Sequence, residues 1–460
     1  MKKRALALGG GGARGAYEIG VWRALREMGE DSFSILTGTS VGALNGAVIA
    51  QGDYENAVRF WEAVSTKKVL RVELEDDPEL SERSFTVLQT FTREILRNRG
   101  ADTAPLREML AACIQEDRVR ASHASFGLIT VSLPDGKEHC LFLDAIPQGK
   151  LLDYLMASSA FFPAMQAQEI DGKTYVDGGY FDNVPIAMAV DRGAEEVIAV
   201  DLQAPGLHRG TVKKEVPVLR IACAWDLGPV LLFEHSYITR NMQLGYLDTL
   251  RAFGRYEGVL YALQTGTAQD YADACRNRIF SLYQTLRPET ALRIGKNMEP
   301  LKWRVLRALR TQPWGEKTPL SISWMENAGR IFGVSPLRSY TAREFYTEVK
   351  SLYRKQPAIL FSELETRARA SKHTAGLAQE FLKTTDRRAI ASAFYEQISL
   401  ALHDEAERKR LWGAALLFPA EAAAAVYLAC SYESLCLIRN VEDKGSPINA
   451  VSVSEPNVPV

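Results

Sequence analysis

The sequence lacks the parts that several large function classes need. Its six cysteines, Cys113, Cys140, Cys223, Cys275, Cys430 and Cys436, form no CxxC pair, and none stands beside a histidine at metal-ligand spacing. No metal site is expected, and the thiols are read as buried groups of a reducing compartment. An excess of charge is lacking too: 55 Lys and Arg stand against 56 Asp and Glu, a net charge of -1 that gives nucleic acid no electrostatic footprint. The opening "MKKRALALGGGGARG" is basic, but its apolar run stops at Leu8, so it has no signal-peptide core and a cytoplasmic protein is expected.

A long uninterrupted apolar run is also missing. The nearest approach, "RKRLWGAALLFPAEAAAAVYLAC" at 408–430, contains Pro419 and Glu421, and alanine dominates its second half. A charge at mid-membrane is costly, so a buried or docking helix is favoured over membrane-surface attachment, and both over a span. Transient peripheral contact with a membrane is retained as an expectation.

What is present begins with glycine. Gly10-Gly11-Gly12-Ala13-Arg14-Gly15 satisfies GxGxxG between a strand-like run at 4–8 and a helical pattern at Ala16, Ile19, Gly20 and Leu25. A dinucleotide site would need an acid ending the second strand, yet Glu30 and Asp31 precede that strand. A P-loop would need Gly-Lys-Ser/Thr, which is absent, so no cofactor is expected. An oxyanion hole fits better, because glycines let backbone N–H groups converge and a helix start adds positive potential. Arg14 either anchors this loop or supplies charge to an anionic head group.

The second strand, "FSILTG", runs into Gly38-Thr39-Ser40-Val41-Gly42, a G-x-S-x-G match at a strand-to-helix junction. Gly38 and Gly42 relieve crowding at such an elbow, and Ser40 is the candidate nucleophile. An α/β-hydrolase would place several strands before the serine and a histidine after an acid. Only one strand precedes Ser40, and His208 and His235 occupy no strand-end loop with a clear partner. Asp177 in "YVDGGYFDN" is the better proton acceptor: it follows a strand-like "TYV" and is followed by Gly178 and Gly179. Burial would raise the proton affinity of an aspartate that is otherwise a weak base. Asp182 is the rival acid, although Asn183 and Pro185 beside it suggest a helix start.

The alternation of strand, Gly loop, helix, strand, turn and helix predicts an α/β parallel sheet covered by helices. Residues 65–105 read as a polar, broken excursion that either covers the site or is a solvated surface insertion. Pro134-Asp135-Gly136 reads as a hairpin turn between two strands. Phe161, Phe162, Met165 and the helix after Ser40 are candidates to line an acyl channel or simply to fill the core. Beyond residue 255 strand signals fade into long helical stretches such as 360–385.

"GGGGARG", "GTSVG" and "DGG" in that order, with "ASSAFFPAMQAQEIDGKTYVDGGYFDNVPI", resemble the patatin-like phospholipases over about residues 5–255. The departures are an additional glycine at Gly9 and Phe-Phe-Pro at 161–163. The resemblance implies a three-layer α/β/α sheet, a Ser40–Asp177 dyad, and an oxyanion loop at Gly10, Gly11, Gly12 and Arg14. It implies a catalytic domain at 1–255, followed in our reading by a mainly helical region at 256–445 and a loose tail at 446–460. The activity implied is a serine lipid acyl hydrolase of phospholipase A or lysophospholipase type, acting through an acyl-enzyme without metal or cofactor. Acyl transfer through the same acyl-enzyme, and a catalytically silent membrane- or protein-binding module, are the alternatives.

Overall fold

The computed structural model describes residues 2–71, 100–209, 215–288, 300–309, 319–354, 361–364, 366 and 385–430. The chain divides into two compact units, Met1–Arg255 and Tyr256–Val460. Outside the described residues lie 72–99 of the expected excursion, most of 360–385, Cys436 and the 446–460 tail.

The first unit is built on a mixed sheet. Its strands are β1 (Arg4–Leu8), β2 (Ile35–Thr39), β3 (Ser125–Leu133), β4 (Lys137–Phe142), β5 (Gln168–Ile170), β6 (Lys173–Asp177), β7 (Glu196–Asp201) and β8 (Val218–Ala222). Their order is β5-β6-β3-β2-β1-β7-β8, with β4 also paired to β3. The strands β3, β2, β1, β7 and β8 run parallel, whereas β4 and β6 run antiparallel to β3. β1, β2 and β7 are almost entirely buried, as parallel strands covered on both faces must be. On one face Ala5, Ala7, Val197 and Ala199 pack with Ala189 and Val190 of the helix Ile186–Asp191. On the other, Leu8 and Phe126 meet helix α2 (Val41–Gln51) at Gly46. Helices on both faces make the three layers of an α/β/α sheet.

The register along β3 brings distant segments together. β2 pairs with residues 125–129 of β3 and β6 with residues 130–133, while β4 pairs with 127–132. A strand edge holds one neighbour at a time, and β4 overlaps both of the others. β2 and β6 therefore lie end to end along the same edge of β3. Thr39 pairs with Ile129 and Asp177 with Thr130, so the end of β2 faces the end of β6.

Helix α1 (Ala16–Met28) crosses the helix His235–Ala252 closely enough that a Cβ on Gly20 would strike the Met242 carbonyl, and one on Gly245 the Tyr17 carbonyl. Tyr17 donates its hydroxyl to Asp248 at 2.8 Å across this crossing. The expected hairpin joins β3 and β4. Cys140 corrects the reading of the cysteines as buried: it lies exposed on β4, whereas Cys113, Cys223, Cys275 and Cys430 are buried, and all five are free.

The second unit has a small three-stranded sheet, Tyr256–Glu257, Ala262–Gln264 and Ser339–Tyr340, and is otherwise helical where described. Ile390, Phe394, Leu411 and Phe418 belong to its core. Residues 408–430 fall into two helices, Glu405–Ala415 and Pro419–Cys430, the break coming before Pro419. Glu421 is buried and accepts from Arg387 Nε at 2.6 Å, so its charge is answered inside the unit. Among the described residues no helix is long and apolar enough to cross a membrane.

Candidate active site

Ser40 sits on the turn between β2 and α2 with φ 56° and ψ -127°, a conformation that costs a non-glycine residue about 1–3 kcal/mol. A Cβ on Gly38 would collide with the Gly42 carbonyl, and one on Gly42 would come within 2.5 Å of the Leu8 carbonyl oxygen. Neither flank tolerates a side chain. The turn is held by the Ser40 N–H donating to Ser158 Oγ at 3.0 Å, and by the Ser40 carbonyl accepting from Ala43 and Leu44 at 2.9 and 3.3 Å. The positive end of α2 thus begins beside the serine.

Asp177 ends β6 and is buried. Its N–H donates to the Ala160 carbonyl at 2.9 Å, and its Oδ1 accepts from the Gly179 N–H at 2.7 Å. Ser40 lines the same cavity as this carboxylate. Burial pushes the Asp177 carboxyl up to about 6, against the Gly179 N–H and the nearby Ser40 hydroxyl, which favour its ionised form. Gly178 lets the turn pass against β3, because a Cβ there would strike the Ile129 carbonyl.

The glycine loop divides into residues that anchor and residues that face the cavity. Gly10 donates its N–H to the Asn183 carbonyl at 2.9 Å, and a Cβ on it would strike Asn183 Oδ1. Arg14 donates from Nε to the Gly228 carbonyl at 2.7 Å, and from one terminal nitrogen to the carbonyls of Leu202 and Gln203 at 3.1 and 2.7 Å. The Gly10 N–H and two of the Arg14 nitrogens are thus used in holding the loop. Gly11 and Gly12 line the cavity beside Ser40, and their amides have no backbone acceptor among the described residues.

That cavity measures about 270 Å³ and is mostly apolar. Val41, Leu44, Phe161 and Met165 line it, as the channel reading expected, but Phe162 does not and is exposed. Its remaining wall, including Phe60, Trp61, Val69, Leu106 and Phe233, carries no motif, and only folding gathers those side chains. Ser158, by contrast, lies within the quoted "ASSAFFP". Asp182 is buried away from this cavity in a second one of about 260 Å³, where its Oδ1 accepts from the Arg209 N–H at 3.3 Å. It caps no helix, since the next one starts at Ile186 after Pro185. His235 begins the helix His235–Ala252, and His208 lies in the loop after β7; neither lines the Ser40 cavity. Among the described residues no cluster of metal-ligating side chains occurs.

The family model of the patatin-like phospholipases matches residues 6–190, which contain both Ser40 and Asp177. Residues 6–190 belong to the patatin-like phospholipase family. The chain is 30% identical over 217 residues to an NTE family protein of Mycobacterium tuberculosis, a match covering 46% of this chain and 52% of the relative. It is 31% identical over 205 residues to the patatin-like phospholipase domain-containing protein 7 of Rattus norvegicus, covering 43% of this chain and 13% of that protein. The chain thus spans about half the length of the mycobacterial relative and a small part of the mammalian one. The crystal structure of VipD from Legionella pneumophila superposes with a TM-score of 0.37 at 13% identity, covering 89% of this chain and 92% of its own, too loosely to carry an argument.

Within the patatin-like domain, Glu18 of α1 is fully buried, and Asn45 Nδ2 donates to its Oε2 at 2.7 Å. Burial pushes its carboxyl up to about 8, from an ordinary value of 4.5. The folded protein holds this proton more tightly than the unfolded chain does, so stability falls as pH rises between those two values. Glu18→Gln keeps the shape without the titration. The variant is expected to gain thermal stability over wild type as pH rises from about 4.5 to about 8, with the difference constant above. A difference in melting temperature that stays flat with pH would count against a buried, neutral Glu18.

Proposed function

We propose that the first unit is a serine lipid acyl hydrolase that cleaves ester-linked fatty acids from phospholipids or related lipids through Ser40 and Asp177. The observation that carries the reading is that Ser40, on its strained turn, and the buried carboxylate of Asp177 line one apolar cavity. Asp177 accepts the Ser40 proton as the hydroxyl oxygen attacks the ester carbonyl. A carboxyl held near pH 6 is a stronger base than an ordinary aspartate and is still ionised at neutrality. The amides of Gly11 and Gly12 receive the oxyanion, the alcohol leaves with the proton, and water resolves the acyl-serine. No metal or organic cofactor enters this scheme.

The same reading gives the cavity mouth a role. Tyr180 lines the cavity and is 42% exposed; its hydroxyl donates to the carbonyl of Phe162, which is 39% exposed. The neighbouring Gly179 carbonyl accepts from the N–H of Leu207, which is 61% exposed. Three exposed apolar side chains around the entrance suit insertion into a lipid surface.

Ser40→Ala and Asp177→Asn are each expected to lower hydrolysis of an ester substrate by about four to six orders of magnitude while the fold persists by circular dichroism. Near-normal turnover in either variant refutes the dyad. In the wild type, kcat/KM should fall as pH drops below about 6, where Asp177 takes up its proton. A profile without that acid limb assigns the base elsewhere. Replacing Phe162 and Leu207 by Asp should weaken activity on phospholipid vesicles by about tenfold and leave a water-soluble ester nearly unaffected. Equal losses on both substrates would remove the lipid-surface role.

A further inference from the structure

The cavity wall is unevenly buried: Tyr180 is 42% exposed, whereas Phe233 is 8%, Trp61 2% and Val69 1% exposed. Its buried wall includes two rings, with Trp61 and Phe233 stacked at 6.5 Å between centroids and 25° between planes. Hydrogen bonds hold the indole itself and the backbone that carries the phenyl ring. The Phe233 N–H donates to Thr66 Oγ1 at 2.9 Å. Trp61 Nε1 donates to Asn45 Oδ1 at 3.0 Å, and Asn45 Nδ2 donates to Glu18 Oε2 at 2.7 Å and to the Gly15 carbonyl at 3.0 Å. An indole N–H can only donate, so it fixes which end of the Asn45 amide faces it, and Glu18 and Gly15 hold the other end. Gly15 leaves room for the indole: a Cβ there would lie 2.9 Å from Trp61 Cζ2.

We propose that Trp61, held by the buried Glu18–Asn45 pair and backed by Phe233, is the stop that sets the length of acyl chain the site accepts. This rests on the acyl-hydrolase reading above. A methylene displaces about the volume of one water, ~30 Å³. The 270 Å³ cavity therefore holds one chain of roughly eight to ten carbons rather than two chains. Up to that length each added methylene is buried and improves kcat/KM by about fourfold; beyond it the chain end meets the indole. Trp61 acts on chain length and touches no reacting atom. Glu18 and Asn45 are positioning residues for it.

The test is a chain-length profile with p-nitrophenyl esters from acetate to palmitate, in the full chain, for wild type, Trp61→Ala, Glu18→Gln and Glu18→Leu. Wild type should peak at octanoate or decanoate. Trp61→Ala should move the peak to longer esters and raise the palmitate-to-octanoate ratio by about tenfold or more. Glu18→Gln should keep the wild-type profile, whereas Glu18→Leu, which cannot hold Asn45, should broaden it. Labelling of Ser40 by a fluorophosphonate in each variant separates loss of the nucleophile from a change in chain preference. If the wild type neither labels nor hydrolyses, the acyl-hydrolase reading fails, and the stop is tested by displacement of a fluorescent fatty acid with saturated acids of increasing length. An unchanged length preference in folded Trp61→Ala, by hydrolysis or by displacement, overturns the proposal.

Discussion

The first unit depends on the double use of one edge of β3. β2 ends against Ile129 and β6 ends against Thr130, so a parallel and an antiparallel strand share that edge and point their ends at each other. Ser40 follows the end of one strand and Asp177 is the last residue of the other. More than a hundred residues separate them in the chain, yet their meeting is set by backbone ladder bonds, the most rigid positioning a fold offers. A slip of one residue in either ladder would turn the carboxylate to the opposite face of the sheet.

Around that junction, polar groups hold apolar space open. Arg14 donates from Nε and one terminal nitrogen to the carbonyls of Leu202, Gln203 and Gly228, and the Asn183 carbonyl takes up the Gly10 amide. Those bonds tie the glycine loop to the end of β7 beside Ser40, with the next two residues, Gly11 and Gly12, lining the cavity. Asn45 does the same on the far side, joining the loop's Gly15 to the wall at Trp61. Asp177 and Glu18 are carboxyl groups taken out of water on either side of this space, and burial shifts both upward. Only Asp177, which lines the cavity with Ser40, has a part in the chemistry proposed.

The elbow could be read from the sequence because its geometry admits few residues: Gly38 and Gly42 stand where any Cβ would strike backbone, so the pattern is local. Asp177 was legible for a similar reason, since Gly178 must pass against β3. The strand–helix alternation predicted the covered sheet, while the antiparallel strands at one side of it left no such mark. Other features depend on partners far along the chain. Whether Arg14 faces substrate or scaffold is decided by carbonyls near residues 202 and 228, and whether Asp182 or Asp177 reaches Ser40 is decided by the turn between them. The cavity wall from Trp61 to Phe233 follows no spacing at all, because it is assembled from segments that meet only in three dimensions. At 408–430 the apolar composition was plain, but Arg387, which answers the Glu421 charge, lies outside the segment.

The crossing of α1 with the helix His235–Ala252 bears on where the working unit ends. The family match stops at residue 190, but the loop that faces Ser40 is the N-terminal approach to α1, and α1 is seated on a helix formed well after that point. Gly20 and Gly245 let the two backbones touch, and Tyr17 and Asp248 join them. Phe233 and the carbonyl that anchors Arg14 also come from beyond the match. The shared family core is thus smaller than the piece that can keep its shape: a chain cut after β7 would retain Ser40 and Asp177 and lose the clamp that holds the glycine loop beside them.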